Sequence, residues 1–341
     1  MMPMSLKTNS YTCAGLFAGI GGFCIGFEKA GFKTSWVSDL DDRVEETYRR
    51  NFPQTKFVRE DIAKLDLTQM PSVDVLHAGF PCQSFSAAGN RLGFEDPRGN
   101  LFNVMMDQIG DMKVKPRVLV LENSTNIQIG DAGMWFDHIK RRIKKAGFWF
   151  NDGNAIIINC ATHFGLPQRR ERLFMVAVNR EFYDYNPFTY VPETESPRGL
   201  LEFIRKEKVD DPAYYLDSEN RYGSWLLREG GNMLPNQLIQ LRQHLVRKQK
   251  PDVCPTLTAN MGGGGHNVPF LIDDGRLRKL TERECLNLQG FPEEFCFPEN
   301  LPMSTKYKQI GNSVSPYASF WLAEEIRKFF NEESANVELA V

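Results

Sequence analysis

The chain has 341 residues, enough for one large domain or for a large domain with a small companion. With 25% charged and 42% hydrophobic residues and a formal charge of −2, its composition is that of an ordinary globular protein. This balance excludes a uniformly basic nucleic-acid surface, so any such contact needs a local basic patch, and no run of about 18 apolar residues is present to span a membrane.

In chain order, Tyr11 to Phe17 reads as a strand entering a glycine turn, and a second strand near Thr34 to Val37 ends at Asp39. Asp41 to Phe52 reads as a helix, because Val44, Tyr48 and Phe52 recur four apart. A third strand ends near Asp61, and further strands are expected at Val73–Leu76, Val118–Leu121, Ala155–Ile158 and Leu173–Val178. Helical spacing lies between them, at Leu101, Val104, Met105 and Ile109, and at Trp135, Ile139 and Ile143. The alternation predicts an α/β fold with a doubly wound, mostly parallel sheet, which binds ligands beyond the carboxyl ends of its strands.

After about residue 185 the texture changes, with Pro187, Pro192 and Pro197 breaking the alternation. Leu234, Leu238, Leu241 and Leu245 suggest a helix, followed by the basic run Arg247 to Lys250. The stretch Met261 to His266 is too glycine-rich for regular structure and is either flexible or backbone-reading. Helical spacing returns at Ser315 to Phe330, and the last eleven residues are expected to fray. These readings divide the chain into a larger domain of 1–185 plus 303–341, a smaller one of 186–283, and a hinge of 284–302.

Seven cysteines lie at 13, 24, 82, 160, 254, 285 and 296, none as a CxxC pair, so no metal site is expected. Their scatter suits a reducing compartment, and the polar opening Met1 to Ser10 lacks the apolar core of a secretory leader. A cytoplasmic location is therefore expected.

The turn Phe17-Ala-Gly19-Ile-Gly21-Gly22-Phe23 resembles a nucleotide fold's cofactor loop. Cys24 stands where a dinucleotide fingerprint needs its third glycine, a loss that a cofactor without a pyrophosphate tolerates. Asp39, at the end of the next strand, is placed to bind ribose hydroxyls, and Asp61 to accept from an adenine amino group. The loop Gly79-Phe-Pro-Cys82-Gln83-Ser-Phe-Ser86 sets a cysteine beyond a strand end, where function concentrates. An unperturbed thiol is only about 3% thiolate at pH 7, so a nucleophile there needs polar or cationic neighbours.

These blocks recur with Glu122-Asn123, Gln168-Arg-Arg170-Glu-Arg172, Arg283-Glu284 with Leu288-Gln-Gly-Phe-Pro292, and Gly311-Asn312-Ser313-Val314. In that order they resemble the cytosine-5 DNA methyltransferase family, of the bacterial or phage modification type, over nearly all the chain except about 186–250. The resemblance implies a catalytic, S-adenosylmethionine-binding larger domain and a smaller target-recognition domain. It implies a Cys82 thiolate that attacks carbon 6 of an extruded cytosine, Glu122 on N3 and the exocyclic amine, Arg172 on the base edge, and Arg170 as an orienting or phosphate partner. Around the cofactor it places Phe17, Gly19, Ile20, Gly22, Asp39, Leu40, Asp61, Ile62, Leu101, Asn312, Ser313 and Val314. Double-stranded DNA is the implied partner, contacted through Gln83, Ser86, Arg98, Lys248 and Lys250. A restriction endonuclease of the same system is a further expected partner, without a stable complex, and the protein is expected to be a monomer. The chain departs from the family pattern at Asp39, where glutamate is commoner, and at Ser124, Asn287 and Ala318. Two readings compete: a tRNA cytosine-5 methyltransferase of the same fold, and a DNA-binding relative without activity.

Overall fold

The computed structural model describes residues 11–81, 97–204, 209–216, 221–230, 232–242, 245–263 and 267–339. The first half alternates strand and helix: β1 (Thr12–Leu16), α1 (Gly22–Lys29), β2 (Lys33–Asp39), α2 (Asp42–Asn51), β3 (Lys56–Arg59) and β4 (Val75–Gly79). Then come α3 (Pro97–Asp111), β5 (Val118–Asn123), α4 (Asn126–Ile129), α5 (Met134–Lys145), β6 (Phe148–Trp149), β7 (Ala155–Asn159), α6 (Cys160–Phe164) and β8 (Glu171–Asn179).

Local chemistry explains the boundaries. The Asp41 carboxylate caps α2 by accepting from the Arg43 N–H, with Asp42 and Glu45 in the first turn and Arg49 and Arg50 in the last. All six residues of β5 are buried, as a strand covered on both faces requires.

Among the described residues the larger sheet has the order β3-β2-β1-β4-β5-β8-β6, with β7 also on β8. β1 to β5 are parallel, while β8 runs antiparallel to β5, β6 and β7. Alternate side chains feed two cores. Cys13, Val75, Val118 and Val120 pack with Phe23 and Phe27 of α1. Ala14, Leu76, Leu119 and Leu121 pack with Phe102 of α3 and Ile139 of α5. Strand order reverses between β1 and β4, which opens a crevice at their carboxyl ends.

The later half holds α7 (Arg221–Gly230), β9 (Ile239–Arg242), β10 (Leu245–Lys248), β11 (Phe270–Asp273) and β12 (Arg276–Lys279), then α8 (Glu282–Gln289), α9 (Met303–Asn312) and α10 (Pro316–Leu339). The four strands form a second sheet, β10-β9-β11-β12, over a small core of Leu226, Ile239, Leu241, Phe270 and Leu277. Residues on either side of that sheet, such as Phe188, Leu200, Leu257 and Leu280, instead join the core of α1 and α10.

Two sequence expectations are corrected here. The leucines at 234, 238, 241 and 245 do not mark a helix: Ile239–Arg242 and Leu245–Lys248 pair as the antiparallel strands β9 and β10. Leu234 and Leu245 are exposed, and Ile239 and Leu241, two apart on β9, share the small core while Leu238 joins the larger one. The C-terminal helix also continues past Phe330 to Leu339, through a stretch rich in the helix formers Glu, Ala and Leu.

α10 returns to α1 at close range. A Cβ on Gly22 would lie 2.1 Å from the Val314 carbonyl oxygen, and one on Gly26 would lie 2.1 Å from Ser319 Oγ. Ser319 Oγ donates to the Gly22 carbonyl at 2.8 Å, so the two helices are locked backbone to side chain.

Candidate active site

Five strand ends converge on the crevice. Phe17 to Ile20 follow β1, Asp39 ends β2 with Leu40 and Asp41 after it, Glu60 to Ile62 follow β3, Gly79 ends β4 with Phe80 and Pro81 after it, and Glu122 lies in β5 opposite Gly79. Together with α9 they enclose a cavity of about 460 Å³. That size lies in the usual range for a small-molecule site.

At the β1–β2 end, Phe17 takes a left-handed backbone, φ 53°, uncommon for a non-glycine residue and a form of strain found at functional sites. Asp39 braces the turn: Oδ2 accepts from the Gly19 N–H at 2.9 Å, and Oδ1 from the Asp41 N–H at 3.1 Å. Burial pushes the Asp39 carboxyl above its ordinary value, and those N–H donors oppose the shift. Beyond Gly19 the space is open where a Cβ would point, and its φ of 53° suits glycine. Phe17, Ile20, Leu40, Ile62 and Leu101 supply apolar wall, with Leu40 exposed at the rim. Asp61 shares the wall, one carboxylate oxygen accepting from the Ala63 N–H at 2.9 Å.

At the β4–β5 end, Glu122 is buried and its Oε1 lies 3.1 Å from Arg172 Nε. Burial raises the Glu122 carboxyl, and the Arg172 and Arg170 charges pull it back. Arg170 is itself buried and donates to three carbonyls, those of Leu257 (2.9 Å), Gly311 (3.2 Å) and Ser313 (2.6 Å). Gln168 donates to Gln289 Oε1 at 2.6 Å and accepts from the Leu257 N–H, while Gln289 donates to the Ser313 carbonyl. Sequence segments more than 100 residues apart are thereby tied into one buried polar knot behind the cavity.

Of the residues singled out from sequence, the cavity gathers Phe17, Gly19, Ile20, Asp39, Leu40, Asp61, Ile62, Leu101, Glu122, Arg170, Arg172 and Asn312. Gly22, Ser313 and Val314 are not on its wall; they pack against one another behind it. Lys248 ends β10, its Nζ donating to the Asn232 carbonyl, and Lys250 follows that strand. Cys82, Gln83, Ser86 and the Arg98 side chain lie outside the described residues, as does the stretch 264–266. Pro81, one peptide bond before Cys82, lines the cavity.

The cavity also holds residues that sequence reading passed over: Asp41 and Glu60 near its acids, and Thr305, Lys308 and Gln309 from α9. Asp41 was legible only as the start of a helix. Lys308 carried a signal, standing four residues before Asn312 and hence on the same helical face. The acidic wall is then Asp39, Asp41, Glu60, Asp61 and Glu122, and the described cations are Arg170, Arg172 and Lys308.

Comparison with known proteins agrees with this layout. A family model described as C-5 cytosine-specific DNA methylase matches residues 11–328. The chain is 39% identical over 319 residues to the Type II methyltransferase M.Bsp6I of Bacillus sp. (strain RFL6), spanning 92% of this chain and 98% of that one. To the Type II methyltransferase M.NgoBI of Neisseria gonorrhoeae it is 33% identical, spanning 89% of each. Among solved structures, a putative DNA modification methyltransferase encoded within an E. coli prophage shares the fold, with a TM-score of 0.69 at 21% identity over 94% of this chain and 100% of that one. A family match over most of the length, together with relatives this similar, means that the chain belongs to the C-5 cytosine-specific DNA methylase family.

Proposed function

We propose that this DNA (cytosine-5-)-methyltransferase works by covalent catalysis on a cytosine extruded from double-stranded DNA, with Cys82 as nucleophile. The methylase activity and S-adenosylmethionine as methyl donor come with the family. The observation that carries the mechanism is one cavity holding the β1 turn, Glu122 paired with Arg172, and the residue preceding Cys82.

The residues present fit the cofactor. Open space over Gly19 admits a ligand against the backbone, the apolar wall of Phe17, Leu40 and Ile62 suits a flat base, and the Asp39 and Asp61 carboxylates suit hydroxyl and amine donors.

Carbon 6 of a stacked cytosine is shielded, so the base must leave the helix, at a cost of roughly a few kcal/mol. The Cys82 thiolate then bonds to carbon 6, and the electron pair of the 5,6 double bond moves to carbon 5 and the N3 side of the ring. Glu122, its carboxyl raised by burial, shares a proton with N3 and so offsets that charge. Arg172, held by Glu122 and donating to the Glu171 carbonyl at 2.7 Å, orients the carboxylate and reaches the base edge. S-adenosylmethionine, when bound, supplies the methyl that carbon 5 takes. Loss of the carbon 5 proton to a base and departure of Cys82 restore the double bond and release 5-methylcytosine. Arg170, occupied by three carbonyls, acts by holding the β8 start against the Gly311–Ser313 segment.

The second sheet, with Lys248 and Lys250, is read as the target-recognition element, positioned by phosphate contacts. Gln83, Ser86 and Arg98 are read as contacts to the DNA around the extruded base. The protein is read as a cytoplasmic monomer serving beside a restriction endonuclease; the Type II naming of its relatives supports that pairing. Among the described residues no helix is long and apolar enough to cross a membrane.

Methyl transfer from labelled cofactor to duplex DNA and to tRNA, with the parent protein and with Cys82→Ser, tests the proposal. Label in duplex DNA alone, lost in Cys82→Ser while cofactor binding persists, is the expected result. Turnover retained in Cys82→Ser, or label in tRNA only, contradicts it.

A further inference from the structure

Lys308 is the cavity-lining cation that the mechanism above leaves unused. Arg170 is occupied by backbone carbonyls and Arg172 by Glu122, whereas Lys308 has no ion pair among the described residues and its side chain is exposed. Its place is not accidental in packing terms. A Cβ on Gly262 would lie 2.4 Å from the Ser304 carbonyl oxygen and 3.0 Å from Lys308 Cβ, so the turn Ala259–Gly262 presses on α9 at the root of this side chain. That contact sets Lys308 at the seam between the larger sheet and the segment leading to the second sheet, on the open side of the cavity.

We infer that Lys308 binds a phosphodiester of the DNA strand bearing the extruded cytosine, and so anchors the backbone at the cavity mouth. The inference rests on the duplex-DNA reading given above. A nucleotide rotated into the cavity brings its base inward, while its phosphates stay with the duplex and stop at the rim. The rim is hostile to a polyanion, because the wall is predominantly carboxylate and its other described cations are engaged. A compact ammonium on a flexible stem, held at its root and free at its tip, meets that need.

Equilibrium binding of a duplex should be measured over a range of salt for the parent, Lys308→Gln and Lys308→Arg, with cofactor affinity measured in parallel by calorimetry. Loss of one phosphate contact should weaken binding at low salt and make the slope of log K against log salt shallower by about 0.9 in Lys308→Gln. Lys308→Arg should restore the slope, and the cofactor dissociation constant should stay unchanged in both. An unchanged slope in Lys308→Gln overturns the inference. So does a weakened cofactor with an unchanged slope, which would assign Lys308 to the cofactor's carboxylate. A parent protein that binds no duplex at any salt would overturn the functional reading itself, a failure distinct from either of these.

Discussion

Glu122 combines two requirements that conflict in water: proximity to arginines, which favours the carboxylate, and burial, which favours the acid. Burial is the larger effect, so the group sits ready to share a proton with a ring nitrogen. Glu122→Gln keeps the size and a hydrogen-bond donor but has no proton to share. It should lower kcat by about 10²- to 10⁴-fold with cofactor affinity unchanged, as single-turnover assays and calorimetry would show. His77 is a strongly perturbed group away from the cavity wall, lying on β4 and stacked on Phe23 at 4.6 Å. Burial pushes it from the ordinary 6.5 down to about 3, so it is neutral in the folded protein. Above pH 6.5 folded and unfolded chains are both neutral there and stability does not vary on its account. Below that pH the unfolded chain takes the proton first, and stability falls by up to about 1.4 kcal/mol per pH unit as pH drops toward 3. Urea unfolding at several pH values should show that loss in the parent and a flatter profile in His77→Gln; equal slopes would contradict it. Glu122 was legible from sequence because a buried apolar strand ends on it. His77 was not, because one histidine in an apolar strand carries no sign of the aromatic rings that will surround it.

At the scale of elements, α1 and α10 approach each other closely enough to require glycine. Gly26 sits where a Cβ would meet Ser319 Oγ at 2.1 Å and the Phe320 backbone nitrogen at 2.3 Å. Since backbone cannot yield cheaply, Gly26→Ala should separate the helices and cost about 1–3 kcal/mol, read as a lower denaturant midpoint with an unchanged m-value. Because Gly22 at the start of α1 carries the Val314 contact, the same change should also weaken cofactor binding. The parallel strands were legible in the sequence, since strands buried on both faces read as unbroken Val, Ile and Leu runs. The antiparallel pair β9 and β10 was not, because leucines three and four apart imitate a helix, and only strand pairing and the core shared by Ile239 and Leu241 reveal the period of two. The short β6 and the antiparallel direction of β8 depend on pairing partners far along the chain and leave no local trace.

At the scale of the molecule, the second sheet is fastened to the body by a buried charge cluster. Arg278 of β12, almost fully buried, donates two bonds to the Glu284 carboxylate of α8, at 2.8 and 2.9 Å, and one to Asp273 at 2.6 Å. Glu284 also accepts from the Thr281 N–H, which closes the capping box of α8. Glu284→Gln removes the buried charge and leaves Arg278 with only the partly exposed Asp273 as its counter-charge. It should destabilise by about 3–5 kcal/mol, and limited proteolysis should then cut first in the second sheet. An unchanged melting temperature would contradict that role. The sequence blocks around Gln168, Gln289 and Gly311 were readable as functional, but their part in the buried knot became visible only once residues 168, 257, 289 and 313 were seen in contact.

The central claim is a sulfur–carbon bond between Cys82 and the target base, and a trapped complex tests it most directly. DNA amplified with 5-fluorodeoxycytidine triphosphate carries fluorine where the leaving proton should be, so methylation can begin but the adduct cannot resolve. The account predicts a denaturation-resistant protein–DNA complex that forms only with S-adenosylmethionine, with the added nucleotide mass on the peptide containing Cys82. Attachment at another residue, or no complex from a preparation that methylates ordinary DNA, would contradict it.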